Sequence, residues 1–209
     1  MPIFRDTIFT NSKNASTHKI KHQPLTFAEL WDAYPSIPFL RTFFGGSNIP
    51  HVNPKTEKET FGNQCAIRVS HALYECGVKL NGFTGTRCWN CSIPPENGKH
   101  IHAIRAQELA TYLNEKPFVG LNQVTNVSPA TFDKDLHGKT GIIFFKDYWT
   151  RQGQNHPTGD HIDLWDGNEL AGSGFFISHF RINNPTEAEE YLNLSNLKES
   201  TQILFWELD

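Results

Sequence analysis

Apolar residues recur at helical spacing in the first half of the chain. Thr26 and Glu29 form a capping-box pattern at the start of a short amphipathic helix, which Pro35 ends. A second, clearer helix is predicted between Asn63, as its N-terminal cap, and Gly77, as the residue that closes it. Its apolar face consists of Ala66, Ile67, Val69, Ala72 and Leu73. This part of the chain is therefore predicted to be mainly helical.

The pattern changes to strands in the second half. A helix from about 103 to 113 and a short segment near Phe132 come first. The predicted strands then cover residues 141–145, 161–165, 174–180 and 203–206. Because helices precede the strands, we expect an α+β domain with the N-terminal helices packed on one face of an antiparallel sheet.

The chain is predicted to consist of an arm and one domain. Residues 1–24 are polar and without a sustained period, which is typical of a flexible N-terminal arm. The remaining residues, 25–209, suffice for one domain, since 38% of the 209 residues are hydrophobic. The Pro- and Gly-rich segment 35–63 is predicted to be a loop wrapped on the core.

Charge and hydropathy exclude several classes of partner. A net charge of -3 offers no basic surplus, so nucleic acid is not an expected partner. The longest apolar runs, such as 141–145, are far shorter than the roughly 20 residues that cross a bilayer, and no membrane insertion is expected. Residues 1–22 lack the apolar core of a secretory signal, so we expect the protein to leave its cell by another route.

One cysteine lies in a setting suited to chemistry. Cys65 falls in the first turn of the predicted helix, where unpaired N–H groups and the helix dipole lower the pKa of a thiol. A base must then lie within hydrogen-bond reach, and His161, at the start of a predicted strand, can supply it. The alternative is that Cys65 is a small buried apolar residue, as free cysteines commonly are.

Four blocks of sequence resemble one known family. They are NQCAIRVS at 63–70, the apolar strand that follows 138–141, GDHIDLWDG at 159–167, and FWEL at 205–208. Together they look like the fourth family of type VI secretion amidase effectors, over most of the chain from about Phe27 to Asp209. The resemblance implies a papain-like cysteine amidase fold and a Cys-His-Asp triad.

The resemblance also implies a substrate, partners and a place of action. Members of this family cleave the bond between γ-D-glutamate and meso-diaminopimelate in peptidoglycan stems. They are made in the cytoplasm, injected by the secretion apparatus, and act in the periplasm of a target bacterium. A cognate immunity protein guards the producer. For this chain we therefore expect a peptidoglycan peptide stem, an immunity protein and a component of the secretion apparatus as partners.

The resemblance assigns Cys65 as nucleophile and His161 as general base, but the third member of the triad is missing from its usual place. In the family the orienting Asp lies on the loop after the histidine strand, where this chain has Ser173. Asp163 is the nearest carboxylate, two residues from His161 and so on the same strand face. Asp163 and Ser173 therefore compete to orient His161, and Asp163 can alternatively line the cleft and bind a substrate amine.

Two further features of a cleft are predicted. The oxyanion is expected to be bound by the Cys65 N–H and a neighbouring donor, for which Gln64 is a candidate, although Gln64 can instead cap the helix. Tyr148 and Trp149 precede a polar loop, 151–159, that is a candidate cleft wall.

The other cysteines have several interpretations. Cys88, Cys91, His100 and His102 can be drawn as a zinc site, but a His-x-His spacing suits one strand face better than a helix turn. We expect no metal and no cofactor. A disulfide between Cys88 and Cys91, formed in an oxidising periplasm, is favoured over zinc. The thiols can also stay reduced, or Cys76 can bridge to one of them.

The sequence leaves two other functions open. The same Cys65 and His161 can serve a papain-like protease or transferase that acts on a protein. The lost family acid at position 173 can instead indicate a pseudoenzyme that binds wall peptide without turnover.

Overall fold

A computed structural model describes residues 24–35, 55, 61–89 and 95–209. Almost all of the predicted arm, most of the Pro- and Gly-rich segment and Cys91 lie outside these residues. The helices are α1 (Phe27–Asp32), α2 (Cys65–Glu75), α3 (Ala106–Leu113), α4 (Phe132–Asp135), α5 (Gly174–Asn183), α6 (Pro185–Leu192) and a 3₁₀ turn (Leu197–Glu199). The strands are β1 (Thr125–Val127), β2 (Gly141–Trp149), β3 (Gly159–Trp165) and β4 (Gln202–Glu207).

The start of α1 follows its local sequence. The Glu29 N–H donates to Thr26 Oγ1 at 3.3 Å, and the Thr26 N–H donates to Glu29 Oε2 at 3.0 Å. Each side chain thus satisfies an N–H group that the helix leaves without a partner. The predicted capping box is confirmed.

The start of α2 differs by one residue from the prediction. Gln64 is the N-terminal cap, and its side chain makes no capping hydrogen bond, so the prediction that Asn63 caps the helix is wrong. Gly77 follows the helix with φ of 79°, a conformation that glycine adopts without a steric penalty. The shift leaves Cys65 as the first helical residue.

Four strands form an antiparallel sheet in the order β1, β4, β2, β3. Apolar residues of β2 alternate between its two faces, as a pleated strand requires. Ile142 and Phe144 pack with the side chains of α1, α2 and α3, whereas Ile143 and Phe145 pack with α4, α5 and the 3₁₀ turn. The N-terminal helices therefore cover one face of the sheet, as predicted, and a second set of elements covers the other.

The predicted strand at 174–180 is wrong, because these residues begin helix α5. The buried residues of α5 are Ser178, Arg181 and Ile182, which recur at the i, i+3, i+4 spacing of a helix face. Phe175 and Phe176, which imitate a strand pattern in the sequence, are 52% and 84% exposed. Strand β1 and helix α6 were not predicted.

Helix α2 packs against β3 and α3 packs against both β3 and β2. This packing brings the N-terminal end of α2 to the strand that carries His161, although the two elements are far apart in sequence. No helix in the described part of the chain is long and apolar enough to cross a membrane.

Candidate active site

The site is built where the first turn of α2 meets β3. Cys65 is the first residue of α2 and is half-buried. Its sulfur is hydrogen-bonded to the imidazole of His161 and to the backbone N–H groups of Ala66 and Ile162. His161 lies on β3 opposite Phe145 of β2, and its side chain is 20% exposed. The fold thus joins the predicted thiol and the predicted base.

A buried carboxylate lies on the far side of the imidazole. His161 Nε2 is 3.1 Å from Asp163 Oδ2, and Asp163 has no exposed surface. Because Nε2 contacts Asp163, Nδ1 is the ring nitrogen left to face the thiol of Cys65. Two residues apart on one strand, His161 and Asp163 share a face, as the sequence predicted.

Backbone N–H groups hold this carboxylate in place. The Leu164 N–H donates to Asp163 Oδ1 at 2.9 Å, and the Gly172 N–H lies 3.1 Å from both carboxylate oxygens. Gly172 was not predicted from the sequence to be a functional residue, although it adjoins Ser173. A Cβ atom at Gly172 would lie only 2.5 Å from Asp163 Oδ2, so the absence of a side chain makes room for the carboxylate.

Ser173 lies nearby but has a different position. It is the N-terminal cap of α5, its side chain makes no capping hydrogen bond, and it lines the cleft described below. Its N–H donates to the Leu170 carbonyl at 3.0 Å. Of the two competing groups, Asp163 is therefore the one hydrogen-bonded to His161 in the structure.

The electrostatics of the pair favour charge separation. Burial by itself raises the pKa of the Cys65 thiol, but the hydrogen bond and charge of His161, with the N–H groups of Ile162 and Ala66, bring that pKa below its ordinary value. Burial lowers the pKa of His161, whereas Tyr148, Asp163 and Cys65 together raise it well above its ordinary value. The carboxylate of Asp163 and the thiolate of Cys65 are the two negative groups hydrogen-bonded to the imidazole. The favoured state is a thiolate beside an imidazolium.

The pair opens into a cleft of about 530 Å³. The described residues that line it are Gly62, Asn63, Gln64, Cys65, Tyr148, Trp149, Thr150, Asp160, His161, Ser173, Arg181, Asn193, Leu194 and Ser195. Residues on both sides of the predicted wall loop, 151–159, are among them. The cleft is large enough for a few residues of a peptide.

Two charged side chains of the lining had no predicted role. Asp160 is the acidic residue and Arg181 the basic residue among the described lining residues, apart from His161. Asp160 Oδ1 accepts from the Asp147 N–H at 3.1 Å, and Oδ2 is 3.8 Å from the half-exposed Arg151. Burial raises the pKa of Asp160. Arg181 is buried and donates through Nε and Nη2 to the Ser195 carbonyl at 2.9 and 2.7 Å, which fixes the loop after α6.

The two other described cysteines, Cys76 and Cys88, are not among the residues that line the cleft. Cys88 Sγ is 3.5 Å from His102 Nδ1, and His102 Nε2 is 3.1 Å from His71 Nδ1. The Cys76 thiol donates to the Glu29 carbonyl at 3.4 Å. Among the residues that the structure describes, no group of three or more His, Cys, Asp or Glu side chains is arranged to hold a metal ion. The predicted pairing of Cys88 with Cys91 lies outside the described residues.

Known proteins share both sequence and architecture with this chain. The family described as type VI secretion system (T6SS), amidase effector protein 4, or Tae4, matches residues 61–206. The crystal structure of the type VI effector Tae4 from Enterobacter cloacae is 21% identical, with a TM-score of 0.51, over 91% of this chain and 100% of that chain. Tae4 from Salmonella typhimurium, in complex with the immunity Tai4 from Enterobacter cloacae, is 17% identical, with a TM-score of 0.52, over 89% and 99% of the two chains. No curated protein matches the chain.

The solved structures bear on the fold of this chain, and the family match bears on its family. At these identities the solved structures show a shared fold, and the papain-like α+β architecture is confirmed. The family match covers most of the chain, including both Cys65 and His161. The chain therefore belongs to the family of type VI secretion system amidase effector protein 4.

Proposed function

We propose that this protein is a cysteine amidase that hydrolyses peptidoglycan stem peptides, with Cys65 as nucleophile, His161 as proton carrier and Asp163 as the group that orients His161. The observation that carries the proposal is the hydrogen-bonded series of thiol, imidazole and buried carboxylate at the floor of an open cleft. Family membership supplies the reaction class, amide hydrolysis.

The geometry supports acyl transfer through a thioester. The Cys65 thiolate attacks the scissile carbonyl carbon, and the imidazolium of His161 gives its proton to the departing amine as the C–N bond breaks. Neutral His161 then takes a proton from water, whose oxygen attacks the thioester and releases the carboxylic acid and the thiol. Throughout, Asp163 accepts from Nε2–H and so keeps Nδ1 directed at the thiol and the leaving group.

The oxyanion of the tetrahedral intermediate needs donors close to the thiol. The Cys65 N–H is at the N-terminal end of α2, where backbone donors have no partner within the helix. Gln64 is among the residues that line the cleft, and its side chain makes no capping hydrogen bond, which favours its amide as the second donor over the capping role. Both donors would become strongest as negative charge develops on the carbonyl oxygen.

The cleft also bears on which amide bond of the stem peptide is cleaved. We infer that the scissile bond joins γ-D-glutamate to meso-diaminopimelate, as the sequence resemblance implies. Asp160, the residue before His161 on β3, is among the residues that line the same cleft, and we propose its carboxylate as the partner of an ammonium group of the substrate. Its contact with Arg151, at 3.8 Å and half-exposed, is weak enough for a substrate ammonium to replace. A diaminopimelate residue carries such a group.

The biological setting follows from the same proposal. The solved relatives include complexes of effector with immunity protein, so a cognate immunity protein is the proposed partner of this chain. Delivery by the secretion apparatus into the periplasm of a target bacterium would bring the enzyme to its wall substrate. The alternatives, a protease or transferase on a protein and a pseudoenzyme that binds without turnover, are outcomes of the experiment below.

The test is hydrolysis of a purified tetrapeptide stem and of whole peptidoglycan, followed by mass spectrometry of the products. We expect a new free amine and two fragments from the full chain, and none from Cys65→Ala. Cys76→Ala is the matched control, because this second half-buried thiol bonds to Glu29 away from the cleft. Turnover of a protein in place of stem peptide would favour the protease, binding of stem peptide without products would favour the pseudoenzyme, and equal hydrolysis by Cys65→Ala would exclude Cys65 as nucleophile.

A further inference from the structure

The segment that follows α1 contacts the buried carboxylate of the candidate active site. The hydroxyl of Tyr34 is hydrogen-bonded to the carboxylate of Asp163. A Cβ atom built on Gly172 would lie 2.5 Å from Asp163 Oδ2 and 3.2 Å from Tyr34 Oη, which places both oxygen atoms beside the same backbone carbon. Tyr34 is not one of the described residues that line the cleft. Asp163 is not among those residues either, so the contact between the hydroxyl and the carboxylate lies beneath the surface of this cleft.

The position of Tyr34 is fixed from two directions. Its N–H donates to the Trp31 carbonyl at 3.1 Å, so the chain leaves α1 in a defined turn. The next residue, Pro35, accepts a hydrogen bond of 3.0 Å from Nη1 of Arg68, which is buried. Arg68 lies one turn after Cys65 on α2. The helix that carries the nucleophile thus also anchors the segment that carries Tyr34.

The phenol must be the donor in its contact with Asp163. An ionised carboxylate only accepts, and Asp163 already accepts from the N–H groups of Leu164 and Gly172 and from His161. Burial first, and then the negative charge of Asp163, raise the pKa of Tyr34 well above its ordinary value, although Arg68 opposes this. The hydroxyl consequently keeps its proton near neutral pH.

We propose that Tyr34 is a positioning residue for the catalytic pair: its hydroxyl and the imidazole of His161 share the Asp163 carboxylate, and this sharing limits how firmly Asp163 holds the imidazole proton. The inference rests on the proposed function only for its consequence in catalysis, because the contact itself is independent of the substrate. A carboxylate relieved of one donor binds its remaining donors more strongly.

Two opposite shifts follow from removal of the hydroxyl. In Tyr34→Phe the Asp163 carboxylate would bind the Nε2–H of His161 more strongly, which favours the imidazolium and the thiolate. The titration midpoint of His161 should move up by about 0.5 pH unit, a factor of about three in proton affinity, and that of Cys65 should move down. A firmer imidazolium is a weaker acid towards the leaving amine, so kcat should fall while KM stays unchanged.

The experiment uses the full chain in wild-type, Tyr34→Phe and Tyr112→Phe forms. Tyr112 is the matched control, because its hydroxyl also donates within the fold, at 2.9 Å to the Asn81 carbonyl, away from the cleft. His161 is titrated by NMR of its imidazole, and Cys65 by the pH dependence of its alkylation with iodoacetamide, read by peptide mass spectrometry. Neither measurement requires turnover, so the inference can be tested even if stem peptides are not hydrolysed.

The titrations of His161 and Cys65 distinguish the inference from a purely structural role of Tyr34. Shifts of His161 upward and Cys65 downward in Tyr34→Phe, with Tyr112→Phe unchanged, support the inference. Titrations of Tyr34→Phe that superimpose on those of wild type overturn it, as does a loss of kcat accompanied by an equal rise of KM. Should Tyr34→Phe fail to fold, 3-fluorotyrosine incorporated at position 34 keeps the ring and makes the hydroxyl a stronger donor. It should move both midpoints in the opposite directions, and no movement would overturn the inference.

Discussion

The orienting role of Asp163 gives the sharpest quantitative prediction. In Asp163→Asn one acceptor oxygen remains, but the new amide places N–H donors against the N–H groups of Leu164 and Gly172 that now lie 2.9 and 3.1 Å from the carboxylate. Loss of a charge-assisted hydrogen bond costs about 1.5–3 kcal/mol, which corresponds to a factor of roughly 10 to 150. An amide that instead turns its NH₂ towards His161 places a donor against the Nε2–H of the imidazolium, which then loses its acceptor; in the serine protease triad the same change costs about 10⁴-fold in kcat. We therefore expect kcat to fall by about 10² to 10⁴-fold.

The assay for this prediction also tests Ser173, the other residue that the sequence offers to orient His161. Steady-state hydrolysis of a stem peptide is measured for wild type, Asp163→Asn and Ser173→Ala, with thermal unfolding as a check that each variant is folded. Ser173 lines the cleft but is not hydrogen-bonded to His161 by its hydroxyl in the structure, so Ser173→Ala should stay within about tenfold of wild type. A folded Asp163→Asn with near-normal kcat, or a larger loss in Ser173→Ala, would refute the assignment of Asp163.

Four further predictions concern the same site. Gly172→Ala should lower kcat by about 10² with little change in KM, because the new Cβ would lie 2.5 Å from Asp163 Oδ2 and must displace the carboxylate; unchanged kinetics would show that the carboxylate can move without consequence. Asp160→Asn should raise KM about tenfold for a stem peptide with a free ammonium group and have little effect once that group is acetylated; an equal effect on both peptides would exclude ammonium recognition. His161→Ala should move the midpoint of Cys65 alkylation to higher pH, because burial, which raises the thiol pKa, then acts without the opposing imidazolium. The pKa of His161 is raised in the folded state, so its stabilising contribution should be full below about pH 6.5 and be lost as pH rises through the folded-state value. Denaturant unfolding of wild type and His161→Ala at several pH values measures this difference, which should shrink, not grow, towards alkaline pH.

Features that depend on neighbours in sequence were predicted well. The capping box at Thr26 and Glu29, the helix that begins beside Cys65 and the strands on both sides of the 151–159 loop are each specified within a few residues. The common strand face of His161 and Asp163 also belongs here, because alternate residues of a strand must share a face. These features follow from backbone geometry, and distant residues were not needed to predict them.

Features that depend on packing were predicted poorly. The apolar residues of α5 fit a strand as well as a helix in the sequence, and only the burial of Ser178, Arg181 and Ile182 against the second face of the sheet decides between them. For the same reason the second helical layer was not predicted.

By itself the sequence determined that a thiol lies at a helix start and that a histidine and a carboxylate lie on one strand face, because both facts follow from local periodicity. Only the tertiary structure decided which group contacts Nε2 of His161, Asp163 or Ser173. It alone brought Tyr34 and Gly172 to that carboxylate, since no spacing relates the end of α1 to the loop after β3. The contacts of a buried charge are set by whichever segments the fold packs around it, and those segments are distant in sequence.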